Sequence, residues 1–141
     1  MSGWISYPYI RWNFKEDSVE YRPILTVKVI SNEVEIPLDG LVDSGCETCM
    51  IHIDLASAFE IDLTKCIKIG VGGVGGKGSI GYLTTVKIRV EEFEHEFETP
   101  IIFADIPTQL LLGQSDFFKQ FRVLFERDQA RFQLSRVPKL K

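Results

Sequence analysis

A chain of 141 residues, 45% hydrophobic and 26% charged, is long enough for one domain with its own apolar core and is not the composition of a disordered chain. Sixteen basic residues against twenty acidic ones, with a pI near 5.2, speak against nucleic acid or an anionic membrane as partner, because phosphate binding needs a concentrated basic face. There is no apolar run of about 18 residues for a membrane span and no basic-then-apolar signal pattern, and an odd count of three cysteines makes no disulfide framework, so a reducing, cytoplasmic setting is expected.

No repeat or low-complexity linker divides the chain. Residues 1–21 form an N-terminal arm, expected to be irregular, whose Trp4, Tyr7, Tyr9, Trp12 and Phe14 need a surface to pack on. From Pro23 the pattern turns β-like: Ile24 to Ile30 is β-branched and partly alternating, Ser31-Asn32 offers a turn, and Val34 to Val42 returns. Asp54 to Phe59 suits a short helix with Asp54 as its acidic N-cap. Gly70 to Gly81 holds seven glycines in twelve positions. Beyond it, Tyr82 to Val90 and Glu96 to Ala104 read as long strands around a turn at Glu91 to His95. Leu110 to Leu112 is a short, wholly apolar strand, the pattern of one covered on both faces. Ser115 is placed to cap a helical turn through Phe117 and Phe118, and Val123 to Phe125 with Arg131 to Leu134 forms a closing hairpin. The basic tail, Arg136 to Lys141, is expected to fray. Many short strands and one or two short helices make the fold all-β, a barrel or a sandwich.

The segment that carries chemistry is Leu41-Val42-Asp43-Ser44-Gly45. A carboxylate directly after an apolar strand sits where burial is costly unless compensated, and Gly45 permits a tight turn beneath it. Taken alone, Asp-Ser-Gly is more often an ordinary surface turn. Three features in the right order change that reading. Arg22-Pro23-Ile24-Leu25-Thr26-Val27 precedes the turn and Met50-Ile51 follows it; Gly72-Gly73-Val74-Gly75-Gly76 lies between strands as a hairpin tip; and Leu111-Leu112-Gly113 leads into a helical turn and Phe121 to Phe125.

On these residues the chain resembles the retropepsin family, the single-lobed aspartic proteases of retroviruses and their cellular relatives, over about residues 22–134. The resemblance implies a small closed β-barrel of the acid protease type, assembled as a homodimer in which each subunit supplies one Asp-Thr/Ser-Gly turn. Asp43 matches the catalytic carboxylate. Ser44 matches the hydroxyl that reaches the opposite subunit, and Gly45 completes the turn. Gly72, Gly73, Val74, Gly75 and Gly76 match the substrate-binding flap, and Leu111, Leu112 and Gly113 match the segment packed beside the catalytic turn. Two carboxylates about 3 Å apart share one proton, and a single chain carries only one such turn, so this chemistry requires two copies related by an isologous interface. The partners so implied are a second copy of the chain and a peptide or protein substrate, with no cofactor and no metal.

The chain also departs from the family. Cys46 stands behind the turn where alanine, serine or threonine is usual, and a thiol is a weaker donor to a carboxylate than a hydroxyl. Gln114 replaces an arginine that would meet the acid at Glu47. Residues 1–21 and the tail, residues 135–141, have no counterpart in the shortest members, which leaves open which strands join the subunits.

Competing motifs are weaker. Gly70 to Gly75 fits G-x-G-x-x-G, but a β-branched stretch, not a helix, follows it. Cys46-x-x-Cys49-x-x-His52, with Cys66, offers four zinc-type ligands, yet the spacing matches no usual pair of knuckles, and buried small hydrophobes are the simpler reading. His95, beside Glu91, Glu92 and Glu94, reads as a solvated residue of a charged hairpin tip. Two functions remain: an aspartic endopeptidase cutting extended peptides with apolar side chains near the scissile bond, or a non-catalytic dimeric peptide-binding module on the same fold. Retention of Asp43, Ser44 and Gly45 together favours the enzyme, since a binder has no need of a buried carboxylate pair.

Overall fold

Along Ile24–Ser31 every second residue from Leu25 sends an apolar side chain inward, and Leu25, Val27 and Val29 are at most 1% exposed. That alternation, repeated over several strands, builds a barrel. The computed structural model describes residues 3–15, 18–72 and 78–138. In chain order the strands begin with β1 (Trp4–Pro8), β2 (Ile10–Lys15), β3 (Ser18–Arg22), β4 (Ile24–Ser31), β5 (Val34–Val42) and β6 (Cys49–His52). They continue with β7 (Ile67–Val71), β8 (Ser79–Val90), β9 (His95–Ala104), β10 (Leu110–Leu112), the one-turn helix α1 (Phe117–Gln120), β11 (Phe121–Glu126) and β12 (Arg131–Arg136).

β4 and β5 form a hairpin from Ile24↔Leu41 to Ser31↔Val34. Its two loop residues, Asn32 and Glu33, both have positive φ (49° and 65°), the turn geometry whose twist matches paired strands. β8 and β9 form the longest hairpin. The sheet runs β4-β5-β10-β6-β9-β8 and closes where β8 returns to β4 through Lys28↔Arg89, Val29↔Ile88 and Ile30↔Lys87. β7 hangs outside the ring on β8. At the seam Lys28 pairs with Glu91 (3.0 Å), and Arg89 with Glu35 (2.9 Å) and Glu96 (3.0 Å). These partly exposed pairs set register more than they add stability.

The register sorts side chains into two sets. Gly40, Leu110, Ile51 and Phe103 lie in one cross-strand row and point into the closed core. One residue further along, Leu41, Leu111, Met50, Ile102 and Leu83 form a second row that is only half-buried. A five-strand-wide apolar stripe therefore faces outward beside the end of β5.

Several expectations are corrected. The N-terminal arm is not irregular: β1 pairs antiparallel with β12 from Trp4↔Ser135 to Pro8↔Arg131, and β2 pairs with β3. Tyr7 stacks on Phe132 at 5.2 Å, and the phenol is pushed up in pKa by burial and by Glu92. Two one-turn 3₁₀ segments, Ile53–Leu55 and Ser57–Phe59, replace the expected helix over Asp54 to Phe59, and His52 is the cap, its Nδ1 accepting from the Asp54 amide at 3.1 Å. α1 is capped at Asp116 without a side-chain bond, so Ser115 is not its cap. His95 is half-buried between Phe97 and Phe121, with Nε2 2.7 Å from Gln120 Oε1, so it is not a solvated tip residue. Fraying does not begin at Arg136, which ends β12, and the Val137 amide donates to the Gln120 carbonyl at 2.9 Å. No helix among the described residues is long and apolar enough to cross a membrane.

Candidate active site

The geometry around Asp43 follows from an apolar strand inserted between two others. β10 lies parallel to β5, with Leu112 opposite Val42, and antiparallel to β6, with Leu111 opposite Met50. Three consecutive leucines suit that central place, where both edges are hydrogen-bonded, but only one face is fully packed: Leu110 and Leu112 are buried in the core, while Leu111, expected to be covered like them, is half-buried and faces the outward stripe. At the exit of β5 the Asp43 amide donates to the Leu112 carbonyl (3.0 Å), and one residue earlier the Val42 amide donates to the Pro23 carbonyl (2.9 Å).

The chain then turns. The Gly45 amide donates to Asp43 Oδ1 at 2.9 Å, and the Cys46 amide to the Asp43 carbonyl at 3.2 Å. The segment after β10 holds the far side of the turn: the Gln114 amide donates to the Cys46 carbonyl (2.8 Å) and the Ser115 amide to the Glu47 carbonyl (2.7 Å). The Gln114 side chain adds a bond from Nε2 to the Ser44 carbonyl, at 2.8 Å. Gly113 makes this approach possible. A Cβ there would stand 2.5 Å from the Cys46 carbonyl oxygen, which no backbone could tolerate without moving. Asp43 is half-buried while Ser44 and Gly45 are exposed, and the Ser44 hydroxyl makes no hydrogen bond among the described residues.

Cys46 does not turn its thiol to the carboxylate. Sγ donates to the Thr48 carbonyl at 3.0 Å, and burial, with the Asp43 charge next in weight, pushes the thiol up to about 11. It is a neutral thiol at physiological pH. Cys49 is wholly buried on β6, its pKa raised by burial, and its sulfur accepts the Gly113 amide at 3.3 Å. His52 is three residues further along the same strand, about 10 Å away at strand rise, and Cys66 Sγ is engaged with the Asp62 carbonyl. Among the described residues no three histidine, cysteine or acidic side chains converge to hold a metal ion. After the glycine run the next described element is a strand, β8, so no helix N-terminus is offered to a pyrophosphate.

Beside the turn lies an open cavity of about 440 Å³ that joins Asp43, Glu47 and Leu111 to Met50, Ile102 and the end of β7. Gly72 lies on its rim; Gly73, Val74, Gly75 and Gly76, expected as the rest of the flap, fall outside the described residues. Two residues take roles that their sequence positions do not reveal. Gln114, which stands in place of an arginine, is a neutral brace on the turn. Gly81 ends the glycine run, and a Cβ there would stand 2.6 Å from both Ile102 Cγ2 and Val71 Cγ2. It is the bare spot that lets β7 close onto the cavity wall, and a lone glycine inside a strand pattern is the available signal for such an approach.

The sequence model of the retroviral aspartyl protease family matches residues 19–126. The structure of the EIAV protease complexed with the inhibitor HBY-793 is similar, with 26% identity and a TM-score of 0.50 over 74% of this chain and 88% of that one. A retropepsin-like aspartic protease from Rickettsia conorii shares the fold at 15% identity, with a TM-score of 0.59 over 93% of this chain and 90% of that one. No curated protein sequence matches this chain.

Proposed function

This chain belongs to the retroviral aspartyl protease family, and from that premise we propose that it is an aspartic endopeptidase, active as a homodimer with one Asp43 from each protomer at its centre. The observation that supports this reading is the Asp-Ser-Gly turn itself: a half-buried carboxylate at the end of an apolar strand, tied on one side to Leu112 and on the other to Gln114, at the edge of an open cavity. Oδ1 of Asp43 is engaged by the Gly45 amide, and Oδ2 has no bond among the described residues, so it is free for chemistry.

In the proposed dimer the two carboxyls share one proton, because like charges so close do not both persist. The ionised member takes a proton from a water held between them, while the protonated member polarises the carbonyl of the scissile bond. The pair titrates as a unit. Ser44 carries the link between the two turns, its hydroxyl reaching the partner's backbone. The substrate is an extended peptide whose apolar side chains lie on the outward stripe of Leu41, Leu111 and Met50; the flap role of Gly72 to Gly76 rests on the family resemblance alone.

The test is Asp43→Asn, assayed on a fluorogenic apolar peptide library with the fold checked by thermal melting. An amide can neither take nor give the shared proton, so cleavage should be lost with Tm retained. Cleavage at the wild-type rate would assign the chemistry to another residue. Binding without cleavage in the wild type would favour the non-catalytic peptide-binding module instead.

A further inference from the structure

We propose that a second recess, at the ends of β6 and β10 away from the Asp43 turn, binds an arginine side chain presented by a partner protein or peptide. The recess holds about 370 Å³. Trp12, Leu55 and Pro107 make its apolar walls, and His52, Asp54 and Thr108 supply polar groups. None of these residues borders the cavity beside Asp43. Its floor begins at Gln109, three residues before Leu112, whose carbonyl the Asp43 amide meets. The recess therefore lies about 10 Å along the strand from that turn, and from the two-fold axis proposed to pass beside it. The inference does not rest on the peptidase reading.

The frame of the recess is set by hydrogen bonds. The His52 amide donates to the Gln109 carbonyl at 2.9 Å, and Gln109 Oε1 accepts the Asp39 amide at 3.0 Å. Three features then converge on one ligand chemistry. Trp12, from β2, brings an indole to the wall, the ring that attracts a cation most strongly. The carboxylates of Asp54 and Asp105 flank His52, 3.8 Å from Nδ1 and from Nε2 respectively. Nδ1 accepts the Asp54 amide at 3.1 Å, as only an unprotonated nitrogen can, so the imidazole in this geometry cancels neither charge. Thr108 is 7% exposed, and its hydroxyl is buried with no hydrogen-bond partner among the described residues.

Those features discriminate between guests. An anion is repelled by the two aspartates, and an apolar group leaves the Thr108 hydroxyl unmet, which costs stability. Lysine is a compact, strongly hydrated point charge that does not stack. A guanidinium is flat and weakly hydrated, so it lies on the indole while its fork of N–H groups reaches the hydroxyl and a carboxylate.

The experiment titrates the full chain, in the assembly state that sedimentation shows, with N-acetyl-arginine amide, its uncharged isostere N-acetyl-citrulline amide, and N-acetyl-lysine amide. The chain has two tryptophans, so NMR of their indole N–H signals locates the site: Trp12 should shift and Trp4 should not. Arginine should bind about tenfold more tightly than citrulline, from the stacked cation and the partly exposed carboxylates together, and the difference should shrink with added salt. Asp54→Asn combined with Asp105→Asn should remove most of that difference. Thr108→Val is the sharpest variant. A methyl in place of an unmet hydroxyl should keep or raise Tm while arginine affinity falls about threefold or more, whereas a hydroxyl that merely supports the fold would give a lowered Tm and unchanged affinity, which would overturn the inference. Free arginine, whose own carboxylate meets the two aspartates, should bind more weakly than the capped form; tighter binding would overturn the assignment to a partner's side chain. Asp43→Asn should bind arginine as the wild type does, which keeps this result separate from that of the peptidase assay. Equal binding of arginine and citrulline, an unmoved Trp12 signal, or no binding to the assembled protein would each overturn the inference and leave the peptidase reading standing.

Discussion

Gly113→Ala isolates the contact between β10 and the Asp43 turn. The added methyl would meet the Cys46 carbonyl oxygen at 2.5 Å, the Cys46 carbonyl carbon at 3.1 Å and the Glu47 carbonyl oxygen at 3.2 Å, where ordinary contact begins at 3.4 Å. The neighbours are backbone, so no rotamer change relieves the clash. The main chain must yield by most of an ångström, against the Gln114-to-Cys46 and Ser115-to-Glu47 bonds that hold the segments together. Overpacking of this kind costs about 1–3 kcal/mol, and the upper end is expected because two hydrogen bonds resist the movement. The turn that moves carries Asp43, and a misplacement of about 1 Å is worth roughly 100-fold in rate. Urea melts should therefore show a lowered midpoint at unchanged m-value, and kcat/KM on a fluorogenic peptide should fall by about two orders of magnitude at temperatures where the variant is still folded. Gly70→Ala is the control: nothing lies within 4 Å of its Cβ, and its stability should stay within about 0.5 kcal/mol of wild type. A Gly113→Ala protein with wild-type stability and activity would refute the idea that bare backbone at this position sets the turn.

Three further outcomes are expected. Ser44→Ala should shift dissociation of the proposed dimer to higher protein concentration in sedimentation over a dilution series, since a hydrogen bond worth about 0.5–1.5 kcal/mol net is lost twice by symmetry; a wild-type monomer that cleaves peptide would contradict the shared site. Gly81→Ala should raise KM more than it lowers kcat, because it pushes Val71 and Ile102 apart at the cavity wall without touching Asp43; an unchanged KM would remove Gly81 from the account. The fold holds the Cys46 proton up to about pH 11, whereas an unperturbed thiol, at 9.0, releases it earlier, so the folded state binds more protons in that window. Stability should then fall as pH rises from about 9 to 11, and Cys46→Ala should flatten part of that slope; an identical slope in the two proteins would show that the thiol is not burdened by burial and by Asp43.

Much of the barrel was legible because its strands alternate with period two or, like Leu110 to Leu112, are apolar throughout. The Asp43 turn was legible from an acid following Leu41-Val42, together with the glycine after Leu112. The parts that escaped depend on partners far away in sequence. β1 looked irregular because its aromatic and polar residues hide the alternation, and the strand that makes it a strand lies at the other end of the chain. His95 sits among glutamates in the sequence, but Phe121, which half-buries it, comes from a later element. Gln114 was readable as an absent charge. That its amide reaches the Ser44 carbonyl depends on the crossing of β10 and the turn, which no local pattern encodes.

The pairing of β1 with β12 orders events in time as well as in space. During synthesis β1 emerges before the barrel strands, and its partner β12 emerges after them. The barrel strands β4 to β10 can find one another while the early strand still has nothing to pair with, so the three-stranded sheet must be a late addition. The chain entropy lost on joining such distant segments grows only slowly with loop length, so the equilibrium penalty is modest, but contacts between segments nearly a whole chain apart slow the search. Until the β11–β12 hairpin is made, Tyr7 remains apolar surface without the Phe132 ring it stacks on, and that interval is when the nascent protein is most exposed to misassociation with its neighbours.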